Sequence, residues 1–158
     1  MVLKVQKKPF PSWYIWARPA ANVIPVTDDG RILLMHEYKS GTKRWIGGFP
    51  GGIIERGETA AQAARRECEE ELGLRPSRLR KLTEVKTDFP DTLVTYFLGF
   101  GLKKVQAKHW ASEKIGNVKK VTVKHLERLA RNGKIQDPRM VVAILSLTRK
   151  KKIGKVNL

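Results

Sequence analysis

Between Gly52 and Leu74 the chain reads Gly-Ile-Ile-Glu-Arg-Gly-Glu-Thr-Ala-Ala-Gln-Ala-Ala-Arg-Arg-Glu-Cys-Glu-Glu-Glu-Leu-Gly-Leu. Glu67, Glu70 and Glu71 stand at i, i+3 and i+4, so on an α-helix they share one face. Like charges at that spacing destabilise a helix by roughly a few tenths of a kcal/mol per pair. Stability alone gives no reason to gather them. A divalent cation does, because hard ions such as Mg2+ take carboxylate oxygens. The competing reading is an ordinary solvated acidic face. The flanks support the helix. Thr59 can serve as N-cap with Gln62 completing a capping box, and Ala60, Ala61, Ala63 and Ala64 are strong helix formers. Ala64, Cys68 and Leu72 make a narrow apolar stripe. Gly73 stands where a left-handed terminus is expected, followed by Leu74 as its apolar partner.

The length of 158 residues predicts one domain with a real core. No apolar run is long enough to span a bilayer, and the N-terminal residues lack the apolar region of a signal peptide. A single cysteine excludes an intrachain disulfide and suits a reducing, cytoplasmic setting. His36, His109 and His125 are scattered without zinc spacing. The net charge of +17 stands apart. A basic surface attracts polyanions, so nonspecific nucleic-acid contact is an expectation. The densest run, Arg149 to Lys152, also reads as a solvated tail.

Residues 1–12 read as a loose basic leader, 13–148 as the domain and 149–158 as a frayed basic tail. Ser12 to Arg18 reads as an aromatic-rich strand. Ala20 to Val26 and Arg31 to Tyr38 read as strands of a hairpin about the Asp29-Gly30 pair. A turn over Lys39 to Lys43 leads to a short strand, Arg44 to Phe49, and then to the turn Pro50-Gly51-Gly52. After the acidic helix, Leu82 to Lys86 and Thr92 to Phe100 read as strands, 103–117 as loop, and Val118 to Val123 as strand. Two helices follow, Val123 to Asn132 and Asp137 to Thr148, the second with Pro138 at a favoured first position. Mixed strands with a central and a C-terminal helix predict an α/β fold: a single-domain α/β/α sandwich with a mixed sheet.

The acid-bearing stretch resembles the box of the Nudix hydrolases, Gly-x5-Glu-x7-Arg-Glu-U-x-Glu-Glu-x-Gly-U with U bulky and aliphatic. Gly52, Glu58, Arg66, Glu67, Glu70, Glu71, Gly73 and Leu74 fill the fixed places, and Cys68 takes the first U place as a small hydrophobe. Further segments resemble the ADP-ribose pyrophosphatase branch: Ala20-Ala-Asn-Val-Ile-Pro-Val, Ile32 to Lys39, Pro90 sixteen residues beyond Leu74, and Gly133-Lys-Ile-Gln-Asp-Pro. One departure is Gly48-Phe-Pro-Gly-Gly, where the branch has Glu-Leu-Pro-Ala-Gly. It looks more like enzymes of nucleoside di- or triphosphates.

The resemblance implies a Mg2+-dependent pyrophosphohydrolase, with Mn2+ as a substitute, in which Glu67, Glu70 and Glu71 are catalytic metal ligands and the Gly51 carbonyl is another. Glu58 and Arg66 form a supporting pair, and Gly51 and Gly52 allow close backbone approach. The general base is either a helix glutamate or Glu113, the sole acid between Asp91 and Glu127. Lys39, Arg18 and Arg44 are cationic candidates for substrate phosphates. Trp13, Trp16 and Trp45 suit either base stacking or core and dimer contacts. The implied substrate is ADP-ribose or another nucleoside diphosphate sugar. The alternatives are a nucleoside triphosphate or RNA 5′ end, and a basic nucleotide- or RNA-binding module without catalysis. The branch also commonly forms homodimers.

Overall fold

The computed structural model describes residues 18–39, 43–88, 91–106, 114–135, 137–149, 152–153 and 156–157. The expected strand at Ser12 to Arg18, apart from Arg18 itself, lies outside them. So do Trp13, Trp16, Pro90 and Glu113.

Two sheets form the frame. The first runs in the order β4 (Gly51–Ile53), β1 (Ala20–Pro25), β6 (Asp91–Lys104), β5 (Leu74–Asp88). It is mixed, with β1 parallel to β6 and the other pairs antiparallel. The second sheet is antiparallel, in the order β3 (Arg44–Gly48), β2 (Ile32–Lys39), β7 (Lys114–Val121). The helices are α1 (Ala60–Leu72), α2 (Val123–Arg131) and α3 (Pro138–Thr148).

Period-two alternation sorts β1 and β6 onto two cores. Ala21, Val23 and Phe97 face α1 and pack with Ala63, Ala64 and Cys68. Ile24, Val94, Tyr96, Leu98 and Phe100 face the larger core, with Ile32 and Leu34 of β2, Leu126 of α2, and Met140, Ile144 and Leu147 of α3. Thus α1 covers one face of the mixed sheet while α2 and α3 close the other side, as the α/β expectation requires.

Several elements differ from the sequence reading. The Asp29-Gly30 segment makes a turn, with Gly30 at φ 77° and Thr27 N–H donating to the Arg31 carbonyl at 2.9 Å. No hairpin follows from it. Between the two strands only Val26 and Ile32 bridge, because β1 already pairs with β4 and β6 on its two edges. The turn therefore carries the chain from one sheet to the other. Gly51-Gly52, read as turn, belongs to β4. β5 begins directly after the left-handed Gly73 (φ 63°) and pairs with β6 along its length. Its exposed Arg75, Arg78, Arg80 and Lys81 hide the alternation that would have announced it. β6 and β7 also shorten the loop expected over 103–117. In the tail, Lys152–Ile153 pairs with Val156–Asn157.

Candidate active site

The acidic helix starts as its sequence dictates. The Thr59 side chain accepts from Gln62 N–H at 3.3 Å, and the Gln62 side chain accepts from Thr59 N–H at 2.8 Å. At the other end Gly73 N–H returns to the Glu69 carbonyl at 3.0 Å. So anchored, α1 turns Glu67 and Glu71 inward, at 9% and 5% exposure, while Glu70 is half-buried.

Arg66 organises the acids. Its Nε and Nη2 donate to Glu58 at 3.0 and 3.1 Å, and Nη2 also reaches the Ile53 carbonyl at 3.1 Å. Nη1 donates to Glu67 at 2.7 Å and to Glu70 at 3.0 Å. These charge-assisted bonds hold the Glu58 carboxyl below the usual carboxylate range. They also raise the guanidinium, chiefly through Glu58, so Arg66 stays charged. Glu71 turns to β4, where Gly51 N–H donates to its Oε2 at 3.3 Å. The expected Glu58–Arg66 partnership is thus present, and Arg66 links Glu58 to Glu67 and Glu70 in one network.

The β4 glycines make room for this network. A Cβ on Gly52 would lie 2.2 Å from Glu67 Oε1, and one on Gly51 would lie 2.3 Å from Asn22 Nδ2. Only glycine admits both contacts. Burial pushes the Cys68 thiol, on the apolar face of the same helix, up to about 12, with Glu71 and Glu69 adding to it. The thiol packs as a hydrophobe at neutral pH.

Among the described residues, no three acidic, histidine or cysteine side chains converge as a ready-made cation cage. The residues nonetheless suit a hard divalent ion. Two carboxylates are held inward on one helix face beside a backbone cleared of side chains, and every donor is oxygen.

On the other side of β4 lies a cleft of about 250 Å³. Gly51 and Gly52 form part of its wall, with Asn22 of β1, Glu37 of β2, Phe49, Tyr96 of β6, and Asp137 and Arg139 at the start of α3. Asp137 caps α3 by accepting from Arg139 N–H at 2.8 Å, and it takes a two-pronged ion pair from the Arg139 guanidinium at 3.0 and 2.8 Å. Burial works to raise the Asp137 carboxyl, but the Arg139 bonds prevail and hold it below the ordinary value. Burial, reinforced by Asp137, raises the Tyr96 phenol, which stays protonated.

The candidate residues thus fall into groups. Gly51, Gly52, Glu58, Arg66, Glu67, Glu70 and Glu71 come together. Arg18 and Arg44 are exposed and neither lines the cleft. Lys39 closes β2 opposite Arg44. Apart from Gly51 and Gly52, sequence reasoning missed the cleft residues. Asp137 was visible only as a helix start, and Phe49 and Tyr96 only as strand residues.

The NUDIX domain profile matches residues 16–143. An ADP-ribose pyrophosphatase of Bacillus subtilis (strain 168) is 31% identical over 134 residues, which cover 83% of this chain and 72% of that one. A methanol dehydrogenase activator of Bacillus methanolicus is 26% identical, covering 79% of this chain and 69% of the relative. A solved structure described as an ADP compounds hydrolase superposes with a TM-score of 0.73 at 24% identity, covering 83% of this chain and 71% of the other, and it bears on the fold. Among the described residues no helix is long and apolar enough to cross a membrane. The profile spans most of the chain and the first of these relatives exceeds 30% identity, so the chain belongs to the Nudix family of hydrolases.

Proposed function

We propose that this Nudix hydrolase is a Mg2+-dependent pyrophosphohydrolase of nucleoside diphosphate compounds, ADP-ribose or a related sugar nucleotide, releasing a nucleoside monophosphate and a sugar phosphate. One observation carries the reading: inward carboxylates on one side of β4 and an open cleft on the other, separated by two glycines. A diphosphate lying along that strand would have its charged bridge at the acids and an attached moiety in the cleft. The similarity to an ADP-ribose pyrophosphatase points to the same substrate class.

Glu67, Glu70 and Glu71, with the Gly51 carbonyl, would hold the ion. When bound, a divalent ion offsets phosphate charge and acidifies a coordinated water. Arg66 fixes the rotamers of Glu58, Glu67 and Glu70, so their carboxylates need little reorganisation during reaction. Glu113 or a glutamate of α1 would take the proton of the attacking water. The aromatic and apolar cleft wall (Phe49, Tyr96, Met140) suits a ring, and Asp137, Arg139 and Asn22 can hydrogen-bond its polar edges. A cytoplasmic setting fits the single, buried thiol.

Incubation with ADP-ribose and Mg2+, with products identified by chromatography and 31P NMR, tests the reading. Equal release of AMP and ribose phosphate is expected, and no cleavage without a divalent ion. A second reading, removal of pyrophosphate from RNA 5′ ends, is favoured by the +17 charge. It also draws on 33% identity over 97 residues to an RNA pyrophosphohydrolase of Sphingopyxis alaskensis (strain DSM 13593 / LMG 18877 / RB2256), covering 59% of this chain and 60% of the relative. Turnover of triphosphorylated RNA with none of ADP-ribose would replace the first reading by the second.

A further inference from the structure

The edge strand β5 carries a feature that the hydrolytic site does not use. Arg78 and Arg80, two residues apart, both lay their guanidinium groups over the ring of Phe100 on β6, at 4.9 and 5.6 Å from its centroid. Phe100 is the register partner of Arg78 and is almost fully covered. Both arginines are exposed. Their neighbours have carboxylate partners: Arg75 bonds Glu69 at 2.6 and 2.8 Å, and Lys81 bonds Glu84 at 2.7 Å. Among the described residues Arg78 and Arg80 have none. Exposed Lys103 and Lys104 extend the same ribbon on β6.

A guanidinium stacked on an aromatic ring is oriented without being neutralised, and its N–H edge remains free for an oxyanion. The Cα atoms of alternate strand residues stand about 7 Å apart, comparable to the step between neighbouring phosphates of an extended polynucleotide. Among the described residues the exposed large apolar side chains are Trp45, Ile53, Leu93, Val118 and Val142. The one on this ribbon, Leu93, pairs with Lys86 toward its opposite end. A surface with charged forks and, among the described residues, no apolar wedge beside them fits a phosphodiester backbone better than a bilayer.

We propose that the Arg78–Phe100–Arg80 platform is a binding site for the sugar-phosphate backbone of single-stranded polynucleotides, independent of the hydrolytic centre. Fluorescence anisotropy of a labelled oligouridylate in EDTA, where divalent-dependent cleavage is absent, tests it. R78Q/R80Q should weaken binding at low salt by at least about tenfold and reduce the log–log salt slope by about 1.4. K119Q/K120Q, with the same charge removed from β7, should retain most of the affinity. Both should keep the parent's Tm and ADP-ribose turnover. R78K/R80K should lose affinity despite keeping its charge. Equal losses in the β5 and β7 variants, full affinity in R78K/R80K, or binding to phosphatidylserine vesicles but not to the oligonucleotide would each overturn the proposal.

Discussion

Helices α1 and α3 begin by the same rules and are buried by opposite ones. Each has a side-chain cap, Thr59 for α1 and Asp137 for α3. α3 then buries Met140, Ala143, Ile144 and Leu147 in the larger core. α1 buries Ala63, Ala64 and Cys68 in a smaller one and turns Glu67 and Glu71 inward beside them. A helix with so little apolar volume beneath it also relies on its ends and on the Arg66 bonds to Glu58 and the Ile53 carbonyl. The capping box secures one end, and the Gly73 terminus with the Arg75–Glu69 ion pair secures the other. The difference teaches where stability and chemistry part. α3 spends its inward face on packing, and α1 spends part of its own on carboxylates that a fold alone would not select.

The largest expected effect tests that division directly. Glu67→Gln and Glu71→Gln keep side-chain size and remove the charge. Each should lower kcat on ADP-ribose by roughly 10³-fold while far-UV CD shows the fold preserved. Near-normal turnover in both would return α1 to the class of α3, a helix that only packs. Next comes Gly52→Ala. Its Cβ would meet Glu67 Oε1 at 2.2 Å, so the carboxylate must move, and turnover should fall by about 100-fold. Unaltered kinetics would mean that the placement of Glu67 is unimportant.

How far each helix could be read in advance follows from how local its signals are. The start, the end and the charged face of α1 lie within 59–74, and the structure reproduces all three. The pairing of β1 with β6 joins Ala20 to Val94, a separation no local pattern reports, and so the Asp29-Gly30 turn looked like a hairpin. β5 was read short because an exposed edge strand takes arginine and lysine at positions where a covered one would alternate. The cleft draws Asn22, Glu37, Phe49, Tyr96 and Asp137 from distant segments, and none carries a sign of its neighbours. Arg18 and Arg44 carry charge without a local motif, and both stand exposed on the surface.

On the α3 side the prediction is one of stability. Ile144 is fully buried in the larger core, and Ile144→Ala should cost about 3 kcal/mol, lowering Tm by about 10 °C. The kcat of the folded fraction should not change. A loss of kcat at temperatures well below the transition would show that packing under α3 positions the cleft as well as supporting the fold.

The smallest effect comes from the charged start of α3, where Asp137 and Arg139 line the cleft. Asp137→Asn keeps a good N-cap, since Asn and Asp cap about equally well, so the variant isolates the ion pair with Arg139. Both side chains are partly exposed, at 33% and 41%, which limits the loss at neutral pH to about 1 kcal/mol or less. The sign with pH is fixed. The folded carboxyl titrates below its ordinary value of 3.8, so the unfolded chain binds this proton first as pH falls. The pair's contribution is therefore complete above that value and disappears as pH drops through the folded one. Urea titrations of the two proteins should differ slightly at pH 7 and converge under strong acid. A gap that persists there would assign the effect to the cap, and Asp137 would then serve α3 as Thr59 serves α1, by starting a helix.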